Sequence, residues 1–143
     1  EAVLAALPAD IYIGAAAVAD YTPRQVAQQK LKKTAGSQTL TLELVRTPDI
    51  LAEVATQEQA LKLVVGFAAE TASSANDLQR LAEHKLESKG CDILVANNVS
   101  NGAVFGSDEN SVLVLTKHGS VTSREGSKRT IAAHILDIIS QEI

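Results

Sequence analysis

Three short apolar runs, Ile11 to Val18, Lys62 to Ala68 and Asp92 to Ala96, recur along this chain with helix signals between them. Runs of about four to eight apolar residues suit strands buried on both faces, and strands alternating with helices imply a parallel sheet. That alternation also points to the carboxyl ends of the strands, where open sheets of this kind bind their ligands.

Between the runs the punctuation is specific. Glu1 opens into Ala2-Val3-Leu4-Ala5-Ala6-Leu7, which reads as the tail of a helix broken at Pro8. Residues 22 to 38 lack periodicity and contain Pro23 and Gly36, which predicts a long loop. Thr39 to Val45 alternates leucines with polar residues, the pattern of a half-exposed strand that covers or extends the sheet. Thr47-Pro48-Asp49 predicts a helix start, with Thr47 as N-cap and Pro48 at the first helical position, running to about Thr56. Ser74 is expected to cap a helix that ends at Gly90. Ser111 to Thr116 and Ser120 to Ser123 flank His118-Gly119 as a hairpin, and Lys128 to Ile143 closes the chain as a helix with Ile131, Ile135, Ile138 and Ile139 on one side.

At 143 residues the chain fits one domain, residues 1–143, able to bury a core without disulfides or metals. No apolar run approaches the roughly 20 residues of a membrane span, so no membrane partner is expected. A net charge of −4 argues against nucleic acid, which needs a basic face. The lone Cys91, inside an apolar run, reads as a core residue in a reducing, cytoplasmic setting. The first residue is not Met, and a helix tail leading into a strand normally has a strand before it, so a fragment of a longer protein is expected.

Chemistry is expected where apolar runs end in small residues followed by charge: Gly14-Ala15-Ala16-Ala17-Val18-Ala19-Asp20 and Gly66-Phe67-Ala68-Ala69-Glu70-Thr71. Small residues there would let a ligand approach the backbone closely. Asp20 either meets a ligand or caps a turn. Lys30, Lys32 and Lys33 form the densest positive cluster, which is either a solvated loop or a lid over an anion. On the helix from Ser74, Lys85 and Lys89 fall within about 20° of Leu78 on the apolar stripe. They either snorkel to solvent or bind phosphate, although a crossover helix ends opposite the usual ligand edge. Phe67 could stack on a base or lie in the core, and Asn97 and Asn98 could bind a ligand or form an Asx turn. The three histidines, His84, His118 and His134, lie apart with no metal-ligand spacing.

Read in order, GAAAVADY (Gly14 to Tyr21), QKLKK (Gln29 to Lys33), TPDIL (Thr47 to Leu51), GFAAET (Gly66 to Thr71), ANNVS (Ala96 to Ser100) and FGSDEN (Phe105 to Asn110) resemble the phosphopantothenate-cysteine ligase family. The resemblance covers essentially the whole chain and is closest to the bacterial branch, where this domain follows a flavin-dependent decarboxylase in one polypeptide. It implies CTP-dependent joining of 4'-phosphopantothenate and L-cysteine through an acyl-cytidylate, with Mg2+ accompanying the nucleotide and FMN confined to the fused decarboxylase. The fold then expected is α/β and Rossmann-like: three layers, a mostly parallel sheet with helices on both faces, and a strap or hairpin extension.

The same resemblance assigns residues. Gly14, Ala15 and Ala16 would lie against the nucleotide, Asp20 would contact CTP, and Lys30 would be the catalytic loop lysine. Pro48, Asp49, Ile50 and Leu51 would form a nucleotide-binding turn, Phe67 would pack near the base, and Lys85 and Lys89 would contact the nucleotide. A homodimer is implied, with residues 22 to 45 strapped across the partner. Two departures stand out. Asn98 occupies a position where the bacterial pattern often has Asp, and the family's N-terminal half is absent, so this fragment alone is expected to be inactive. Two other classes remain: a non-catalytic nucleotide-binding or dimerisation module, and a dinucleotide-dependent oxidoreductase, which the lack of a G-x-G-x-x-G turn ranks last.

Overall fold

In the computed structural model, residues 1–33, 36, 38–57, 60–100 and 107–143 are described, and Phe105 and Gly106 of the FGSDEN motif lie outside them. The chain divides into two compact units: Glu1–Ala15 with Ile50–Ile143, and Ala16–Asp49.

The larger unit is built on five strands, β1 (Ile11–Gly14), β4 (Leu63–Glu70), β5 (Ile93–Asn98), β6 (Glu109–Thr116) and β7 (Val121–Ser127), in that spatial order. Strands β1, β4 and β5 run parallel, and β6 and β7 continue the sheet antiparallel as the expected hairpin. Its tight turn is at Gly119, whose φ of 87° suits a residue without a Cβ. The hairpin is longer than its apolar pattern suggests. β7 is an edge strand, so Arg124 and Glu125 can pair through the backbone while their side chains stay in water.

Alternation along the two central strands sorts side chains between two layers. Leu63, Val65, Ile93 and Val95 face the closing helix α4 (Lys128–Glu142), which supplies Ile131, Ile135 and Ile139 at a spacing of four. Val64, Ala68, Leu94 and Ala96 face the other way, onto α2 (Ile50–Ala55) and α3 (Ala75–Lys89) through Val54 and Ala82. Burial of each large side chain here contributes about 1.5–3 kcal/mol. Helices thus cover both faces, giving the expected three-layer, Rossmann-like α/β arrangement. The caps of α3 also fall where expected: Ser74 Oγ accepts from Asp77 N–H at 3.1 Å, and Gly90 ends the helix at φ 64°. The short opening helix, α1 (Ala2–Ala5), packs Val3 and Leu4 on this same layer.

Three expectations are corrected. The first strand stops at Gly14 rather than Val18 and is only partly buried, because β1 is an edge strand of the sheet. The alternating segment Thr39 to Val45 does not join the main sheet. Instead β3 (Leu44–Arg46) pairs antiparallel with β2 (Tyr21–Pro23), which forms at the start of the segment read as loop. Thr47 is not an N-cap: α2 begins at Ile50, Pro48 precedes it, and the Thr47 hydroxyl donates to the Ala19 carbonyl oxygen within the smaller unit.

Among the described residues, no helix is long and apolar enough to cross a membrane.

Candidate functional site

In the larger unit, strand register gathers two of the six motifs, and the first glycine of a third, at one edge. Gly14 of β1 pairs with Gly66 of β4, and Phe67, Ala68, Ala69 and Glu70 pair in turn with Val95, Ala96, Asn97 and Asn98 of β5. Gly14, which opens the first motif, therefore meets the GFAAET and ANNVS segments at the carboxyl ends of parallel strands, the side on which open α/β sheets bind ligands.

The two glycines do not both leave room for a ligand. A Cβ on Gly66 would stand 2.5 Å from Leu51 Cδ2 and 3.2 Å from Leu94 Cδ1, so its missing side chain is needed for α2 to pack on the sheet. A Cβ on Gly14 would meet the Tyr12 ring at 3.1 Å. Ile50 and Leu51 both pack their side chains against the α2–α3 layer.

Phe67 lies outside the core, 40% exposed, and Ile13 on β1 is 43% exposed. By alternation both point to the α4 side of the sheet, beyond the cluster that α4 covers. An exposed aromatic ring beside an aliphatic side chain at the carboxyl edge is a surface on which a planar base can pack.

On the opposite face, Glu70 ends β4 and accepts a 2.6 Å ion pair from Lys85 Nζ. Side chains on a helix lean toward its N-terminus, so Lys85 reaches back to the carboxyl edge although α3 runs away from it. The Lys85 ammonium thus stands beside the side chain that ends β4. Lys89 is the last residue of α3 and lies near Cys91, beside the start of β5. Burial pushes the Cys91 thiol up to about 11, against which the Lys89 charge acts weakly, so the thiol is a core group and no nucleophile. The turn into α3 is tied down as well: the Ser73 backbone N–H, with help from Arg80 and the Ser73 hydroxyl, holds the Asp77 carboxyl below its ordinary value.

Asn98 realises the Asx-turn reading, its Oδ1 accepting from Ser100 N–H at 3.1 Å, and it also grips Ala72. Glu70 is the residue that motif reasoning passed over; its place in GFAAET next to Thr71 was visible, but its partner fifteen positions later was not.

In the smaller unit, Ala16, Asp20, Lys30, Pro48 and Asp49 are all exposed, and the Asp20 carbonyl accepts from Thr47 N–H at 3.0 Å. Arg24 and Glu43 pair at 2.8 Å and tie the strands of this unit together. Val26 (84%), Leu40 (67%), Leu31 (58%) and Leu42 (57%) are exposed. No group of three or more metal-ligating side chains occurs among the described residues. A cavity of about 460 Å³ opens elsewhere, between Leu86 and Glu87 of α3 and Lys117, Gly119 and Val121 of the hairpin, with Gly90 and Cys91 also in its lining, and no residue assigned to the nucleotide from sequence lines it.

A mixed sheet led by parallel strands, covered on both faces, with an exposed aromatic and a lysine–glutamate pair at its carboxyl edge, defines a Rossmann-like α/β domain. The chain belongs to the DNA/pantothenate metabolism flavoprotein C-terminal domain family, whose model matches residues 1–143. It is 42% identical over 128 residues to the coenzyme A biosynthesis bifunctional protein CoaBC of Vibrio vulnificus, covering 89% of this chain and 31% of that protein. It is 41% identical over 137 residues to CoaBC of Mycobacterium tuberculosis, covering 92% and 32%. The chain thus spans about a third of the length of the curated relatives it matches. Among solved structures it resembles a DNA/pantothenate metabolism flavoprotein from Streptococcus pneumoniae, with a TM-score of 0.73 at 20% identity over 94% of this chain and 64% of that one. It also resembles a Cab2 mutant in complex with phosphopantothenate-cysteine, with a TM-score of 0.67 at 17% identity over 92% and 44%. The family resemblance drawn from the motifs holds, and at these identities the structural likenesses speak for the fold.

Proposed function

We propose that this chain supplies part of the active site for the CTP-dependent ligation of 4'-phosphopantothenate and L-cysteine in coenzyme A biosynthesis, and that it is inactive alone. The observation that carries the reading is the meeting of Gly14, GFAAET and ANNVS on one carboxyl edge, with Lys85 paired to the Glu70 that ends β4. The naming of the CoaBC relatives supports it, as does a structural neighbour that holds phosphopantothenate-cysteine.

In the proposed reaction a carboxylate oxygen of 4'-phosphopantothenate attacks the α-phosphorus of CTP, diphosphate leaves, and an acyl-cytidylate forms. The cysteine amine then attacks the acyl carbon, CMP departs with the bonding electrons, and the amine proton is lost to solvent. Both steps build negative charge on oxygens, so they need fixed cations nearby. Lys30 is assigned the catalytic charge, Lys85 the phosphates, Asp20 a polar contact to CTP, and Phe67 the base; Lys89, beside the start of β5, takes its phosphate role from the family resemblance alone. Gly14, Ala15, Ala16 and the Pro48–Leu51 turn are assigned backbone contacts.

The protein offers no cage of side chains for Mg2+ among the described residues, so the ion fits best as a companion of the nucleotide phosphates, which it would neutralise. FMN is no part of this reading. That cofactor is assigned to other parts of such proteins. Calorimetry with CTP, ATP and NAD tests the reading. CTP should bind in the presence of Mg2+, and NAD binding with CTP inert would sink it.

The exposed leucines and valine of residues 22 to 45 support a homodimer joined through this segment, because apolar surface of this kind is stabilised by burial at about 25 cal/mol per Å². The double substitution Leu40→Asp/Leu42→Asp should move the sedimentation coefficient from dimer to monomer and leave the circular dichroism spectrum unchanged. A dimer that survives the substitution would place the interface elsewhere.

A further inference from the structure

We infer that Asn98 is a positioning residue that sets where the Lys85 ammonium stands. Its carboxamide makes three hydrogen bonds: Oδ1 accepts from Ala72 N–H and Ser100 N–H, both at 3.1 Å, and Nδ2 donates to the Ala72 carbonyl at 2.8 Å. Both backbone groups of Ala72 are thus held by one side chain. Only an amide presents an acceptor and a donor in this arrangement; a carboxylate of the same shape would set two acceptors 2.8 Å apart at the Ala72 carbonyl.

Ala72 is the hinge point between Glu70 and Lys85. It is buried, stands two residues after Glu70, and stands two residues before Ser74, the N-cap of the helix that carries Lys85. On the helix side the turn is fixed by Ser73 and Ser74 bonding with Asp77. On the sheet side it is fixed by Asn98 and by the 2.8 Å bond from Val99 N–H to the Glu70 carbonyl. A helix is a rigid rod over this length, so on this inference releasing Ala72 leaves α3 held on the sheet only by Leu78, Ala82 and Leu86 and by its own turn, and free to shift along it. A slide of one residue is about 1.5 Å, enough to break a 2.6 Å contact between Lys85 and Glu70. The charged groups around Asn98 are Glu70, its register partner on β4, and Lys85 on α3, so a charge introduced at position 98 would act on the same pair.

The consequence for nucleotide affinity rests on the proposed role of Lys85 as a phosphate contact, whereas the consequence for geometry does not. Two variants separate shape from charge: Asn98→Asp keeps the shape and removes the donor, and Asn98→Ser removes the bridge without adding charge. Nuclear magnetic resonance on the chain should show faster exchange of the Ala72 and Ser100 amides and loss of the Lys85–Glu70 side-chain contact in both. Calorimetric affinity for CTP should fall about tenfold in both and about tenfold in Lys85→Ala. Combining Asn98→Ser with Lys85→Ala should weaken CTP no further than Lys85→Ala alone, a coupling that a merely structural residue would not produce. Full additivity of the two substitutions, or an intact Lys85–Glu70 contact in Asn98→Ser, overturns the inference. If the unaltered chain does not bind CTP, the ligase reading falls, while loss of the Lys85–Glu70 contact in the variants still upholds the role of Asn98.

Discussion

Replacing Lys30 by alanine is expected to lower kcat for amide formation by roughly 10²–10³-fold, the usual loss when one preorganised charge or donor is removed from a developing oxyanion. The KM for CTP should change much less, because Lys85 and Lys89 are assigned the phosphates. Folding should be unaffected: Lys30 is exposed in the smaller unit, and surface substitutions away from caps and packed contacts generally stay within about 0.5 kcal/mol. Lys30→Arg should rescue only weakly, since a planar guanidinium cannot place its charge where a compact ammonium stood. The assay is release of CMP from CTP, 4'-phosphopantothenate and cysteine in the polypeptide that carries this chain. If Lys30→Ala retains kcat and loses only CTP affinity, Lys30 is a binding residue and the catalytic charge comes from elsewhere.

How far the chain could be read without its structure follows from where the deciding interactions are local. Strands β4 and β5 were legible because both of their faces are covered, which leaves near-continuous apolar runs; α3 was legible because Ser74 and Gly90 mark its ends by side-chain and φ chemistry. Strand β2 was not, since Tyr21-Thr22-Pro23 is short, includes a proline, and exists only through partners such as Arg46, far along the chain. The same holds for the edge. Its glycines and alanines were visible, yet Gly66 turned out to make room for Leu51, a contact decided by how α2 docks. Phe67 could not be placed in or out of the core from alternation, because alternation gives the face and not the point at which α4 stops covering it. The Glu70–Lys85 pair needed the tilt of lysine along α3, and the Asn98 grip on Ala72 needed the depth of the β4–α3 turn.

The largest effect on stability is expected from Leu94→Ala. Leu94 has no exposed surface, sits on the central strand β5, and packs into the α2–α3 layer with Val54, Ala82 and Leu115. Its Cδ1 also lies over the bare backbone of Gly66, 3.2 Å from where a Cβ would be, so truncation opens a void against a residue with no side chain to fill it. Leucine truncations in cores cost about 2–5 kcal/mol, rising with the cavity that remains, and a site walled by a glycine and by strand backbone can collapse little. The upper half of that range is therefore expected, against a total stability on the order of 5–15 kcal/mol. In urea the midpoint should fall with the slope unchanged, and the melting temperature should drop on the order of 10 °C. Leu40→Ala provides the contrast: the same deletion at a residue 67% exposed should cost a monomer less than about 0.5 kcal/mol. Equal midpoint shifts for the two substitutions would mean that β5 does not occupy the centre of the sheet. The layer that holds Leu94 is also the layer that docks α3, so the Leu94→Ala protein should show weaker protection of the Ala72 amide before it unfolds globally, linking core packing to the position of Lys85 at the edge.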